Sequence, residues 1–291
     1  MILVTGVSGA LGRLVLQGLS ARDGTEVVAG TRRGDGTTAR RVDFDDPGSL
    51  PTGFAGVDVL VMISAGYAED DVVLARHGAV ADAAAAAGVR QVIYTSLAGS
   101  GGCTTLALPH RWTEARLAAG PFATTVLRNG LYAELLGALS AGAAEEAAGT
   151  GVFSAAFGTG RMSVVARQDL ADVTVRVAAE ADAALASGGP GRHAGRTYEL
   201  EGVTALGGEE VAGLLGERYG RPVAYRPLSL SDARAALAGQ GLADYQVAHT
   251  LSLLSNTGAG FLRARRSDLA ELLDGAPRPV DDLVVSAAHN A

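Results

Sequence analysis

The sequence predicts an α/β fold, a doubly wound parallel sheet joined to a smaller, discontinuous C-terminal lobe. Three observations carry this. Apolar, strand-length runs alternate with helix-length segments through residues 1–131, the pattern of parallel strands covered by helices. The first run, Ile2 to Val4, feeds directly into a glycine turn and then a helix. After Tyr132 the alternation gives way to an alanine-rich helix, short extended pieces and further helices. Residues 132–291 are therefore expected to form mainly the smaller lobe, with segments that return to the sheet.

The turn after the first strand has the pattern G-x-x-G-x-x-G, with Gly6, Gly9 and Gly12 ahead of the apolar-periodic Leu11, Leu14, Val15 and Leu19. Strand, glycine turn and helix in this order form a cradle for dinucleotide phosphates. The first glycine permits the turn, the second lets backbone N–H groups approach the pyrophosphate, and the third lets helix and strand pack closely. The helix N-terminus adds partial positive charge. Gly6, Ser8, Gly9, Ala10, Leu11 and Gly12 are the candidates for this contact. Thr25 to Gly30 reads as the second strand. An NAD site would end it with an acidic residue for the ribose 2′-OH. Here Gly30 and Thr31 are followed by Arg32 and Arg33, about 20 residues beyond Gly12, where the ribose is read. Two guanidiniums suit a 2′-phosphate, so NADPH is the expected cofactor. Asp35 lies nearby and opposes that preference.

The third strand is expected at Arg41 to Phe44, before the turn signal Asp45-Asp46-Pro47-Gly48. Asp43 sits where adenine is often contacted and equally suits a turn cap. Val57 to Ser64 is the fourth strand; Ser64, Ala65 and Gly66 end it near the cofactor. Asp70 to Ala87 is a helix closed by Gly88. Val89 to Ser96 is the fifth strand, Ala98 to Leu108 a loop, Pro109 to Ala119 a helix, and Ala123 to Leu127 the sixth strand. A helix then runs to about Ala148. Phe153 to Ala166 reads as extended, a helix starts at Arg167, and Arg196 to Leu200 and Val223 to Tyr225 read as strands. Ala183 to Gly195 is expected to be a mobile surface loop and the last few residues a frayed tail. No internal repeat is evident.

Composition sets limits. The chain of 291 residues suits one to two domains, and 48% hydrophobic residues allow a large core. It has no apolar run long enough for a membrane span. No leader pattern precedes the first strand, so a cytoplasmic protein is expected. The single cysteine, Cys103, excludes an internal disulfide. His and Cys lack metal-site spacing, so no metal is expected. A net charge of −7 argues against nucleic acid or anionic membrane as partner. All 24 basic residues are arginine, as in the translation of a GC-rich, actinobacterial type of genome. Without lysine, a Tyr-x-x-x-Lys catalytic pair cannot exist here.

Several motifs line up along the chain: Thr-Gly-x-x-Gly-x-x-Gly at Thr5 to Gly12, Tyr-Thr-Ser at Tyr94 to Ser96, and Leu-Arg-Asn-Gly-x-Tyr at Leu127 to Tyr132. Arg-x-Asp-Leu-Ala at Arg167 to Ala171 and Tyr-Glu-Leu at Tyr198 to Leu200 complete the set. Together they resemble the NmrA-like group of atypical short-chain dehydrogenases/reductases, and within it the type-2 NAD(P)H:quinone oxidoreductases. The resemblance implies an NADP(H)-binding Rossmann domain, a small C-terminal lobe and a substrate cleft. Some members of the group are dinucleotide-sensing regulators and not enzymes.

In such relatives a serine at the end of the fifth strand bonds the substrate carbonyl; Thr95 and Ser96 match it. His110 and Glu114 stand where tyrosine and lysine usually do. Glu114 cannot supply a lysine's charge, which departs from the usual proton relay. Hydride transfer needs mainly a well-placed acceptor and a donor for the developing oxyanion. Ser96, His110, Asn129 and a phenol on the substrate are the candidates, with His110 a possible general acid because imidazole titrates near neutrality. The expected activity is NADPH-dependent reduction of a carbonyl on a polycyclic aromatic ketone, of the angucyclinone polyketide type made in antibiotic biosynthesis. A quinone reductase is one alternative. A non-enzymatic NADP(H)-sensing regulator is another. The expected partner is a small aromatic substrate, with oligomeric state open.

Overall fold

The computed structural model describes residues 1–36, 38–65 and 67–290. In chain order the elements are β1 (Ile2–Val4), α1 (Ala10–Ser20), β2 (Val27–Thr31), β3 (Ala39–Arg41), α2 (Leu50–Gly53), β4 (Val59–Met62), α3 (Asp70–Ala86), β5 (Gln91–Leu97), α4 (Ala107–Ala118) and β6 (Ala123–Asn129). There follow β7 (Leu131–Tyr132), α5 (Ala133–Thr150), β8 (Val152–Ala155), β9 (Arg161–Val165), α6 (Arg167–Ala186), β10 (Thr197–Leu200), β11 (Thr204–Gly207), α7 (Gly208–Tyr219) and β12 (Ala224–Pro227). Helices α8 (Leu230–Gly239), α9 (Asp244–Gly258), α10 (Leu269–Leu272) and α11 (Asp281–Asn290) complete the chain.

The chain divides into two compact units: Met1–Ser96 with Leu108–Asn129 and Gln168–Tyr198, and Leu97–Ala107 with Gly130–Arg167 and Glu199–Ala291. The first is built on a sheet of seven strands among the described residues, in the order β10-β6-β5-β4-β1-β2-β3. β1 pairs in parallel with β2 and β4, β2 with β3, and β4 with β5. This is the doubly wound Rossmann arrangement that the alternation predicts. The central strands are buried on both faces, which explains their unbroken apolar runs. Leu3, Leu60, Val92 and Tyr94 share a core with Val80 of α3 and Leu117 of α4.

The second unit has its own core, in which Leu136, Phe153, Phe157, Leu215, Leu254 and Val284 meet. β11, β9 and β7 form one small sheet, and β12 with β8 another. Strands of two and four residues give too little periodicity to read, so β7 and β11 were invisible in the sequence.

Four expectations need correction. The third strand is Ala39–Arg41 and not Arg41 to Phe44. Its register is set by β2, which ends at Thr31 as the paired arginines turn away, and only one more bond, from Val42 N–H to the Thr31 carbonyl (2.7 Å), continues the ladder. The loop from Ala98 to Leu108 holds a short 3₁₀ turn at Gly99–Cys103, and α4 starts at Ala107. Pro109 is tolerated in that first turn, where N–H groups have no helical acceptor. The loop from Ala183 begins late, because α6 runs on to Ala186 and buries Ala181 and Leu185 on one face. The C-terminal residues are no frayed tail. α11 packs along α5, with Val284 and Ala288 buried one helical turn apart.

That last contact depends on Gly137 of α5. A Cβ there would lie 2.4 Å from the carbonyl oxygen of Val284 and 2.6 Å from Cβ of Ala287. No helix among the described residues is long and apolar enough to cross a membrane.

Gly137→Val should therefore force α11 off α5. The expected cost is about 1–3 kcal/mol, or a fall in Tm of roughly 5 °C. Differential scanning calorimetry reads it, and an unchanged transition would show that the helices have room to separate.

Candidate active site

The site begins where β1 ends. Gly6 has φ +65°, in the left-handed region that glycine adopts without cost. A Cβ on Gly12 would lie 2.3 Å from the Gly6 carbonyl oxygen, so α1 is pressed directly onto the turn. Gly9 N–H donates to that same carbonyl at 2.9 Å. No side chain caps α1 and its first turn carries no acidic residue. The exposed N–H groups and the helix dipole thus favour an anion.

A cleft of about 220 Å³ lies beside this turn in the first unit. Gly6, Ser8, Arg32, Asp43, Ser64 and Ala65 line it. Gly9, Ala10, Leu11 and Gly12 form the turn and the helix start behind it. Arg33 is exposed and outside the lining, and Gly66 lies outside the described residues. Asp43 lines the cleft, and its Oδ1 accepts Asp45 N–H at 3.1 Å, the turn-capping bond its position suggested. Asp35 accepts from Thr38 N–H (2.9 Å), Thr38 Oγ1 (2.6 Å) and Ala39 N–H (2.8 Å), so its charge is engaged in its own turn.

Sequence reasoning missed Asp45 and Arg76 as lining residues. The Arg76 guanidinium grips Asp45 through two bonds of 2.6 and 3.0 Å, and holds the Asp45 carboxyl below its usual range. Nothing local marks Arg76 on α3; only the fold brings it to the cleft.

The floor after β4 is fixed by two buried groups. Thr95 Oγ1 accepts Ser64 N–H at 3.0 Å. His77, 1% exposed, accepts Ala65 N–H on Nε2 at 3.2 Å. Its Nδ1 lies 2.8 Å from Thr113 Oγ1, which itself donates to the Pro109 carbonyl at 2.7 Å. Thr113 Oγ1 has one proton, already donated, so Nδ1 carries the imidazole proton and Nε2 is the acceptor. Burial, with the charges of His110 and Arg76, pushes His77 down to about 3. It is a neutral positioning group, and the sequence offered no pattern for it.

Near the ends of β5 and β6 a charged cluster surrounds Glu114, which stands where a lysine is usual. Ser96 Oγ–H donates to Glu114 Oε1 at 2.5 Å. Arg111 Nη1 reaches the same oxygen at 2.6 Å, and Arg128 holds both carboxylate oxygens, Nε to Oε1 at 3.0 Å and Nη2 to Oε2 at 2.6 Å. Burial alone would raise the Glu114 carboxyl, but the bonds from Arg128 and Ser96 and the two positive charges hold it below its usual range. The Ser96 proton is therefore committed to a carboxylate. His110 Nδ1 lies 2.8 Å from the Tyr94 hydroxyl. Burial, helped by the Arg111 charge, pushes its imidazole down to about 4, away from the near-neutral titration expected from sequence. In neutral solution it is an uncharged hydrogen-bonding group. Asn129 is 4% exposed and neither of its amide atoms has a partner among the described residues. A buried amide of this kind needs a ligand or water.

The glycine cradle, the uncapped helix and Arg32 fit a dinucleotide carrying a 2′-phosphate. Arg32→Ala should weaken NADPH binding about 10–100-fold and leave NADH nearly unchanged. Fluorescence titration with both nucleotides reads this, and an equal loss for both would remove Arg32 from the phosphate. His77 also makes folding pH-dependent. The unfolded residue takes a proton near pH 6.5 and the folded one only near 3, so stability falls as pH drops through that window. At pH 5 the loss is roughly 2 kcal/mol. Urea unfolding at pH 7 and pH 5 should show a clearly smaller difference in His77→Gln than in the unaltered protein.

The chain is similar to several known proteins. Residues 6–181 match the family model described as NAD(P)H-binding. Quinone oxidoreductase 2 of Escherichia coli (strain K12) is 34% identical over 84% of this chain and 83% of its own. A (4-alkanoyl-5-oxo-2,5-dihydrofuran-3-yl)methyl phosphate reductase of Streptomyces griseus is 29% identical over 81% and 80%. Among solved structures, Citrobacter sp. triphenylmethane reductase with NADP(H) superposes with TM-score 0.84 at 28% identity, covering 99% of this chain and 100% of that one. The NADPH complex of an NADPH-dependent quinone oxidoreductase from Escherichia coli gives 0.83 at 30% identity, covering 98% and 99%. The chain belongs to the NAD(P)H-binding family, in its NmrA-like group.

Proposed function

We propose that this NADPH-dependent oxidoreductase reduces flat, conjugated aromatic acceptors whose developing oxyanion is only weakly basic, quinones first among them. The observation that carries the reading is the engagement of Ser96 with Glu114. In a reductase of ordinary ketones a strong donor must meet an alkoxide. Here the serine proton is held by a carboxylate at 2.5 Å, and His110 is neutral above about pH 4. A quinone needs far less help, because its reduced oxygen is a phenolate, about as basic as tyrosine's. Bound NADPH supplies the hydride. The chain's part is to bind, orient and exclude water. Arg32 and the α1 N-terminus hold phosphate, His77 and Thr95 fix the floor, and Asn129 offers an unused amide at the end of β6. The second unit supplies the substrate-binding lobe. The curated relatives support this class: one is named for quinones, another for a conjugated furanone phosphate.

A hydroxyaryl polycyclic ketone of the polyketide type is a second reading. The same missing donor favours it, since a neighbouring phenol on the substrate stabilises its own alkoxide. The absence of lysine and the GC-rich composition are in keeping with such a pathway.

NADPH oxidation at 340 nm with three acceptor sets separates these readings. Quinones should turn over, hydroxyaryl ketones should follow if the second reading holds, and isolated aliphatic or simple aryl ketones should be at least 100-fold poorer. Equal turnover of unactivated ketones would overturn the proposal. Tight NADPH binding with no oxidation in any set would point to a dinucleotide-sensing regulator instead.

A further inference from the structure

The second unit has its own pocket, about 440 Å³, and its charge pattern is unusual for a protein of net charge −7. Glu199 and Glu201 line it, 4% and 3% exposed, with Arg263, Arg265 and Arg266 across from them and Phe261 at its side. The two carboxylates are already engaged. Glu199 Oε2 accepts Gly99 N–H at 2.7 Å, and its Oε1 lies 3.9 Å from Arg266 Nη2. Glu201 accepts from both the N–H (3.0 Å) and the hydroxyl (2.9 Å) of Ser100. Burial, with Glu199 beside it, pushes the Glu201 carboxyl up from its usual range.

The arginines are different. Among the described residues no carboxylate comes within 4.0 Å of Arg263 or Arg265, and neither makes a side-chain hydrogen bond. Their backbone is nevertheless fixed at both ends. The Leu262 carbonyl accepts Ser163 N–H at 2.9 Å, and Ala264 N–H donates to Ser163 Oγ at 3.0 Å. Ser267 Oγ donates to the Glu201 carbonyl at 2.7 Å, and Asp268 and Glu199 exchange bonds of 2.7 and 2.8 Å. Leu262 is buried while Arg263 and Arg265, alternating with it and Ala264, both line the pocket. A clamped segment thus presents several guanidiniums to a pocket whose carboxylates are engaged, beside a phenyl ring that is 58% exposed. Guanidiniums bind two-oxygen anions bidentately, and the ring offers a flat apolar surface.

We propose that Arg263, Arg265 and Arg266 with Phe261 form a binding pocket for an aromatic molecule bearing a carboxylate or phosphate group. The pocket itself can be tested without turnover.

Isothermal titration of the NADP⁺-saturated protein with 2-naphthoate, 2-naphthyl phosphate and neutral 2-naphthol is the first experiment. At least one charged probe should bind ten-fold or more tightly than naphthol, and the better one identifies the group. The double variant Arg263→Ala/Arg265→Ala should abolish that advantage while retaining its NADPH affinity. Cys103, exposed and lining the same pocket, is an internal reporter. Its labelling by neutral dipyridyl disulfide should slow when the charged probe is bound. Equal affinity for charged and neutral probes, or full affinity in the double variant, would overturn the pocket.

Discussion

A methyl group on Gly12 would lie 2.3 Å from the carbonyl oxygen of Gly6. That contact sets how α1 leaves β1, and most of the first unit follows from it. With the helix pressed onto the turn, its first N–H groups open toward the cleft and no side chain blocks them. Thr5 then ties β1 to β4: its Oγ1 accepts Ile63 N–H at 3.0 Å and donates to the Val61 carbonyl at 3.3 Å. The chain beyond β4 is thereby held beside the glycine turn, and Ser64 and Ala65 become cleft residues. His77 and Thr95 complete the same layer from α3 and β5. The glycine turn and the cleft floor beyond β4 are thus one hydrogen-bonded assembly, organised outward from a contact between two glycines.

How far the sequence reveals this depends on the range of each interaction. The Gly6–Gly12 motif and Arg32 are legible because turn, helix start and the arginine that lines the cleft lie close together in the chain. β1, β4 and β5 are legible because strands buried on both faces show unbroken apolar runs. Arg76 and Asp45 are 31 residues apart, and His77 and Thr113 are 36 apart. Each looks like an ordinary surface or core residue until the sheet folds. α11 was misread for a related reason. Its short stretch of Val, Ala, Ser and His says little, and its stability comes from the groove that Gly137 opens on a helix far away in sequence. The Arg263–Arg266 segment is conspicuous in composition, yet its meaning depends on Ser163, Glu199 and Glu201.

The charge inversion at Glu114 was legible as a missing lysine but not as a structure. The sequence shows a carboxylate at the usual place of a cation, which reads as a defect in a proton relay. The fold shows it satisfied by Arg111, Arg128 and Ser96. The net charge of this cluster is positive, as it would be with lysine, but the guanidiniums cannot act as acids at physiological pH. The arrangement conserves the electrostatic sign and loses the proton source.

That distinction bears directly on which chemistry the site can perform. Positive charge near a developing oxyanion lowers the barrier whatever the acceptor, because it acts through the field alone. A proton donor matters most when the product anion is strongly basic and must be neutralised as it forms. A site with the first and without the second favours acceptors that gain aromaticity or spread their charge on reduction, and penalises isolated ketones. Lysine at position 114 would not repair the relay. It would stand beside Arg111 and Arg128 with no carboxylate between them, and the three like charges would repel one another. The carboxylate at 114 is therefore the counter-charge that lets two arginines stand beside Ser96.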